Sequence, residues 1–145
     1  MTVKSNLLRT VRVTELKRIY MPSGCVKHAA KRSDPGITEF GEVYFSEIKP
    51  GDIKAWKLHR RVTLNLVVPV GDARFVFFDE LNCEFREEII GESNYSRLTI
   101  PFGIWFGFQG LGKSVSLIMS LANEEHNPAE LSRRPVAGIP FNWKD

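Results

Sequence analysis

An antiparallel β-sandwich or barrel is the fold this 145-residue sequence predicts. Three observations lead there. Short runs rich in Val, Ile, Phe, Tyr and Thr recur along the chain. Turn signals containing Gly, Pro and Asp separate them, and no sustained helical pattern alternates with them, which disfavours a βαβ arrangement. Hydrophobic residues make up 43% of the chain, enough for one domain with a real core, and the length is too small for two ordinary ones.

The elements follow in order. Residues 10–19 alternate Val11 and Val13 with polar neighbours, the pattern of a half-buried strand. From Pro22 to Gly36 the chain gathers Gly, Pro, Ser, basic residues and His28. This stretch reads as a loop, either a solvated connection or a flexible basic lid over an anionic ligand. Strand character resumes over 37–48, with Gly41 at a bulge or bend, and Lys49-Pro50-Gly51-Asp52 fits a tight turn. Strands over 53–59, 62–70 and 73–79 follow. Gly71-Asp72 predicts a hairpin turn between the last two, and Pro69 predicts an edge or bulge because it cannot donate to a ladder. Residues 84–91 fit either a short strand or one helical turn. Strand-forming stretches at 97–101, 104–108 and 113–122 precede a charged tail broken by Pro128, Pro135 and Pro140. The organisation is therefore one domain: an N-terminal strand and basic loop (1–36), a barrel core (37–123) and an irregular tail (124–145).

Composition narrows the function classes. Lys and Arg number 20 against 17 Asp and Glu, which permits a local anion-binding patch but gives no case for a nucleic-acid partner. Cys25 and Cys83 stand far apart, in no CxxC or Cys/His cluster, so neither a disulfide framework nor a structural zinc is expected. The start lacks the apolar core of a signal peptide, and no apolar run approaches the ~18 residues of a membrane span. No membrane partner is expected, and a reducing cytoplasm is the expected setting.

The stretch from Gly51 to Asp79 concentrates the titratable groups: His59, with Lys54, Lys57, Arg60 and Arg61 around it. On a regular strand, Lys57 and His59 project to one face, and a cation beside an imidazole disfavours its protonated form, leaving a neutral base. On the next strand Thr63 and Asn65 share a polar face opposite Val62, Leu64 and Leu66; that face lines a cavity or faces solvent. His28, His59 and His126 lie far apart in sequence, and Arg61 occupies the place two residues after His59 where a second histidine ligand would reach the same face, so no metal is expected.

Longer motifs add to this. A histidine late in a strand (KLHRR), a hydrophobic strand (VTLNLVVPVG) and a strand ending in Asp (DARFVFFD) come first. IPFGIWFGFQGLG follows, then SLIMSLANEEHNPAE, in that order from about Phe40 to Trp143. This ordered set resembles the dTDP-4-dehydrorhamnose 3,5-epimerase family of cupin-type antiparallel jelly rolls, which act on nucleotide-linked 4-keto sugars without a metal. The resemblance implies an epimerase of a nucleotide-linked 4-keto (6-deoxy)hexose, removing a proton at C3, C5 or both, in the making of cell-surface polysaccharide sugars. His59 falls on the base position, with Lys57, Arg60, Arg61 and Asn65 as candidates to stabilise the oxyanion. For the nucleotide base it offers Trp56, Trp105, Phe78 and Tyr44, and for the diphosphate Arg74, Arg97 and Arg61. No cofactor is implied, and a homodimer joined through exposed sheet edges is.

The chain also departs from the family pattern. The arginine three residues before the base is Trp56 here, the lysine of the following strand falls near Leu64, and the histidine of the aromatic segment is Phe106. The general-acid tyrosine is replaced by His126, which serves as acid or second base, or caps a surface turn. These departures leave open a single epimerisation, a 3,4-ketoisomerisation, or a non-catalytic cupin that binds a sugar nucleotide.

Overall fold

The computed structural model describes residues 5–144. Its strands are β1 (Arg12–Glu15), β2 (Arg18–Ile19), β3 (Val26–Lys27), β4 (Glu42–Ile48), β5 (Ile53–His59), β6 (Leu64–Val70), β7 (Asp72–Asp79), β8 (Glu84–Gly91), β9 (Ser96–Ile100), β10 (Trp105–Gly110), β11 (Ser116–Ala122) and β12 (Leu131–Arg133). Two five-stranded antiparallel sheets face each other, ordered β1-β9-β6-β11-β4 and β12-β5-β10-β7-β8, and β2 pairs with β3 as a separate ribbon. This is the jelly-roll sandwich of the cupins.

Period-two alternation builds the core between the layers. Leu64, Leu66 and Val68 of β6, Ile118 of β11 and Leu98 of β9 point inward from the first sheet. Ala73, Phe75 and Phe77 of β7 and Phe106 and Phe108 of β10 meet them from the second. Each buried Phe or Leu contributes about 1.5–3 kcal/mol relative to exposure. The second sheet is apolar on its outer face as well. There Trp56, Val76, Phe78 and Trp105 pack with Ile139 and Trp143, so the C-terminal segment is a cover whose shape follows the sheet. The proline-broken tail, with one three-residue strand and two 3-10 turns, carries β12 to the sheet edge and then closes a face that would otherwise meet water.

Several expectations change in three dimensions. Gly71-Asp72 makes no hairpin. β6 pairs with β9 and β11, whereas β7 pairs with β8 and β10, so the turn is a corner from one layer to the other. Gly71 takes φ 79° there, and a Cβ would collide with the Ser116 side chain. Pro69 sits in an interior strand, tolerated because the β6–β11 register shifts between Leu117 and Met119, opposite this stretch. The run 10–19 splits into β1, which pairs with β9, and β2, which pairs with a strand inside the expected loop. Residues 84–91 are a strand, paired with β7 along its length. The Lys49–Asp52 turn forms as expected: the Asp52 N–H donates to the Lys49 carbonyl (3.1 Å) and Gly51 takes φ 78°.

Candidate active site

A cavity of about 530 Å³ opens between the sheets, walled by β4, β6 and β11 on one side and by β5, β10 and β12 on the other. His59 ends β5. Its carbonyl accepts the Gly103 N–H at 2.7 Å, and the next N–H, of Arg60, donates to the Glu130 carbonyl at 2.8 Å. The ring lies over Phe106, centroids 6.4 Å apart and planes 22° from parallel.

The group that defines His59 comes from far along the chain. Glu130 Oε1 lies 2.5 Å from His59 Nδ1, and its Oε2 accepts the backbone N–H groups of Arg60 (3.1 Å), Arg61 (3.1 Å) and Val62 (3.2 Å). Three successive amides converging on one oxygen form an anion cradle. The NPAE sequence delivers Glu130 to it: Asn127 caps a 3-10 turn by accepting the Ala129 N–H (3.0 Å), and Pro128 presets the first helical dihedral. Burial opposes the charge on Glu130. The hydrogen bond from His59, those from the Arg61 and Val62 amides and the attraction of His59 outweigh it, so the carboxyl lies below its ordinary value. A carboxylate only accepts, so Nδ1 carries a proton, and Nε2 has no hydrogen-bond partner among the described residues. The expectation that a neighbouring cation governs His59 is incomplete, since the charge in contact with the ring is the Glu130 carboxylate.

Lys57 lines the same cavity. Its pKa is lowered, first by burial and then by the repulsion of Arg133 and Lys54. Arg133, Arg134 and Lys54 also line the cavity. Arg134 pairs with Glu80 (2.7 Å) and stacks over Trp105 at 4.4 Å. His126 reaches the rim from the loop after β11, its N–H donating to Glu42 Oε1 at 3.2 Å. Tyr44 and Ser120 belong to the wall opposite His59.

The other candidates lie elsewhere, each for a physical reason. Asn65 points outward from β6. Its Oδ1 accepts from Arg97 Nε (3.2 Å) and Thr99 Oγ1 (2.6 Å), and its amide donates to the Gly36 carbonyl (3.0 Å). The cavity is lined instead by the apolar side of that strand, Leu64 and Leu66. Arg97 is fully buried outside the cavity. It donates to the carbonyls of Ala29 and Pro35 and pairs with Asp34, which pins the basic loop to the first sheet. Arg74 alternates to the outer face of the second sheet and pairs with Glu87 at 3.7 Å. Trp105 and Phe78 sit in the outer apolar cluster. Trp56 borders the cavity, but its indole N–H is held by the Val136 carbonyl (3.0 Å) and its ring packs on Trp143. Arg60 straps the 129–132 segment through the Ala129 carbonyl and the Ser132 hydroxyl, and Arg61 pairs with Glu124 (2.7 Å) on the surface. Sequence reasoning missed Glu130, Arg133 and Lys54 as site residues. The signal for Glu130 was present as a capped Asn-Pro followed by an acid.

His28 lies in a smaller cavity of about 260 Å³ beside Lys17 and Lys31. Among the described residues, no three of His, Cys, Asp and Glu gather as metal ligands would.

No family model matches the chain. The spore coat polysaccharide biosynthesis protein SpsL of Bacillus subtilis is 29% identical over 122 residues, 77% of this chain and 81% of that protein. A solved dTDP sugar isomerase of Desulfovibrio desulfuricans is 32% identical with a TM-score of 0.87, over 92% of this chain and 90% of that one. The dTDP-4-dehydrorhamnose 3,5-epimerase of Bacillus anthracis shares the fold at 17% identity and a TM-score of 0.80, over 99% of this chain and 90% of its own. A carboxylate-held histidine at the end of a cavity-lining strand, in a jelly roll this similar to a solved sugar isomerase, places the chain in the family of dTDP sugar isomerases that includes dTDP-4-dehydrorhamnose 3,5-epimerase.

Proposed function

We propose that this isomerase removes a proton from carbon next to the C4 ketone of a dTDP-linked 4-keto-6-deoxyhexose, at C3, C5 or both, in the making of a surface polysaccharide. The observation that carries this reading is the His59–Glu130 pair at one end of the cavity, with Lys57 on the same wall. His59 Nε2 takes the proton, Glu130 stabilises the imidazolium that forms, and Lys57 faces the enolate oxygen. A positioned base contributes about 10²–10⁴-fold. A cation aimed at the developing oxyanion adds about 3–4 kcal/mol in a site with few competing waters, and Leu64, Leu66, Phe106, Phe108 and Ile118 supply the apolar walls. Arg133 and Lys54 have no carboxylate partner among the described residues and suit the diphosphate. His126 at the rim and Tyr44 on the wall opposite His59 are suited to returning the proton.

The outward faces of β4 and β11 set Phe45 opposite Met119 and Val43 opposite Leu121. Phe45 and Val43 are exposed, which suits cover by a second copy in a homodimer. Cys25 and Cys83 are free and exposed, consistent with a reducing cytoplasm. Among the described residues, no helix is long and apolar enough to cross a membrane.

The test is proton NMR of dTDP-4-keto-6-deoxyglucose with the enzyme in deuterated water. Wild type is expected to wash deuterium into C3, C5 or both, and His59→Ala is expected to leave those protons in place. Inverted product means epimerisation, and a ketone moved to C3 means ketoisomerisation. No exchange by wild type, across several such sugars, contradicts the proposal.

A further inference from the structure

The carboxylate that holds His59 stands on a slight piece of backbone. Glu130 is the last residue of the three-residue 3-10 turn Pro128–Glu130, which runs straight into β12, a three-residue strand at the edge of the second sheet. A turn this short makes few bonds of its own: the Glu130 N–H donates to the Asn127 carbonyl at 3.0 Å, and the Leu131 N–H to that of Pro128. The carbonyls of Ala129 and Glu130 come next, at the end where a helical turn has no internal donors left for its acceptors.

Arg60 supplies both donors. Its backbone N–H donates to the Glu130 carbonyl at 2.8 Å and its guanidinium Nη1 to the Ala129 carbonyl at 3.2 Å, while Nη2 donates to the Ser132 hydroxyl. The guanidinium therefore spans the segment from the residue before Glu130 to a residue beyond it. A planar fork with fixed donor directions holds two such anchors at a set separation, which the single ammonium of a lysine does not. Arg60 is exposed and does not line the cavity, so its side chain has a task other than touching substrate.

Resting on the reading of His59 as the base held by Glu130, we infer that Arg60 is a positioning residue of the reaction: by strapping Ala129 to Ser132, its guanidinium fixes the turn that aims Glu130 Oε1 at His59 Nδ1. The tolerance is small. One carboxylate oxygen meets Nδ1 at 2.5 Å while the other sits on the amides of Arg60, Arg61 and Val62. A turn released from the strap keeps the fold and loses that alignment, and a misplacement of about 1 Å costs about 10²-fold in rate.

Arg60→Met keeps the aliphatic stem and removes both anchors. In the deuterium-exchange assay with dTDP-4-keto-6-deoxyglucose, its kcat is expected to fall about 10–10²-fold with KM within about threefold of wild type. Its melting temperature is expected within about 5 °C of wild type, because only exposed hydrogen bonds are lost. Arg60→Lys is expected to recover part of the rate, and Ser132→Ala, which leaves the Ala129 anchor, to lose about threefold. The route through Glu130 is read from the double variant: in Glu130→Gln protein, Arg60→Met is expected to change exchange by no more than about threefold, since residues that act as one unit do not lose rate twice. Wild-type kcat in a folded Arg60→Met protein overturns the inference, as do a loss confined to KM and losses that multiply in the double variant. If Arg60→Met does not fold, Ser132→Ala decides, and wild-type exchange by that variant overturns the inference. A wild type that exchanges nothing brings down the reading of His59 itself, and this inference with it.

Discussion

Two regions of the molecule withdraw a cation from open water, one fully and one in part, and they treat it in opposite ways. On the outer face of the first sheet, Arg97 is 0% exposed, and each guanidinium nitrogen has a partner: Asn65, the Ala29 carbonyl with Asp34, and the Pro35 carbonyl. In the cavity, Lys57 faces Arg133 and Lys54 with no carboxylate to answer it among the described residues, and His59 has one nitrogen committed and one free. A satisfied buried charge specifies structure, because nothing more can bind to it. An unsatisfied one costs stability and marks a place where a ligand completes the set. Arg97 thus ties the 29–36 segment to the barrel, and Lys57 awaits an anion.

The comparison is sharpened most by Glu130→Gln. An amide can donate to Nδ1 and turn the imidazole to the wrong tautomer, so exchange is expected to fall about 10³-fold, with the fold retained. The pH dependence has a definite sign. The folded-state pKa of Glu130 lies below the unfolded value, so the stability it gives is fully present above the ordinary carboxyl pKa of about 4.3 and is lost as pH falls through the folded value. Wild type minus Glu130→Gln, followed by denaturant unfolding, should therefore be flat at neutral pH and shrink only in acid.

Arg97→Ala should act the other way round. Removing one side of a buried charged network leaves Asn65 and Asp34 unanswered and costs about 3 kcal/mol, a fall in Tm on the order of 10 °C. Exchange per folded molecule should stay near wild type. Equal losses of activity and stability would erase the distinction between the two regions.

Lys57→Met has the smallest expected effect and the most unusual sign. Exchange should drop about 10²-fold, while thermal stability should hold or rise. Burial and like charges lower the Lys57 pKa, so its charge is a penalty on the folded state below that pKa. The penalty fades as pH rises toward the unfolded value of about 10.4. The stability gain of the variant should therefore be present at pH 7 and vanish in strong base.

Much of this architecture was legible in the sequence. Alternation and turn residues located nearly all the long strands, and β5 came out with its own boundaries because the Lys49–Asp52 turn and the basic Arg60-Arg61 pair bracket it. What alternation does not reveal is which side of a strand is inside. β7 is apolar on both faces, Phe75 and Phe77 inward and Val76 and Phe78 outward, because the tail covers the second sheet. Arg74 and Trp105 were therefore assigned to the wrong side. Asn65 misled for the opposite reason: a buried arginine needs acceptors, so the polar face of β6 lies under the N-terminal loop and the apolar face lines the cavity. Glu130 stands 71 residues from His59, and no local pattern links them until two turns bring the chain ends of β5 and β12 together.

The central claim is that His59, held through Nδ1 by Glu130 and open on its other nitrogen, takes a proton from carbon. Deuterium incorporation into a dTDP-linked 4-keto-6-deoxyhexose, measured side by side for wild type, His59→Asn and Arg97→Ala with the melting curve of each, tests it most directly. The account predicts label with wild type and with the folded fraction of Arg97→Ala, and none with a His59→Asn protein that melts like wild type. Label at the wild-type rate in His59→Asn would contradict it.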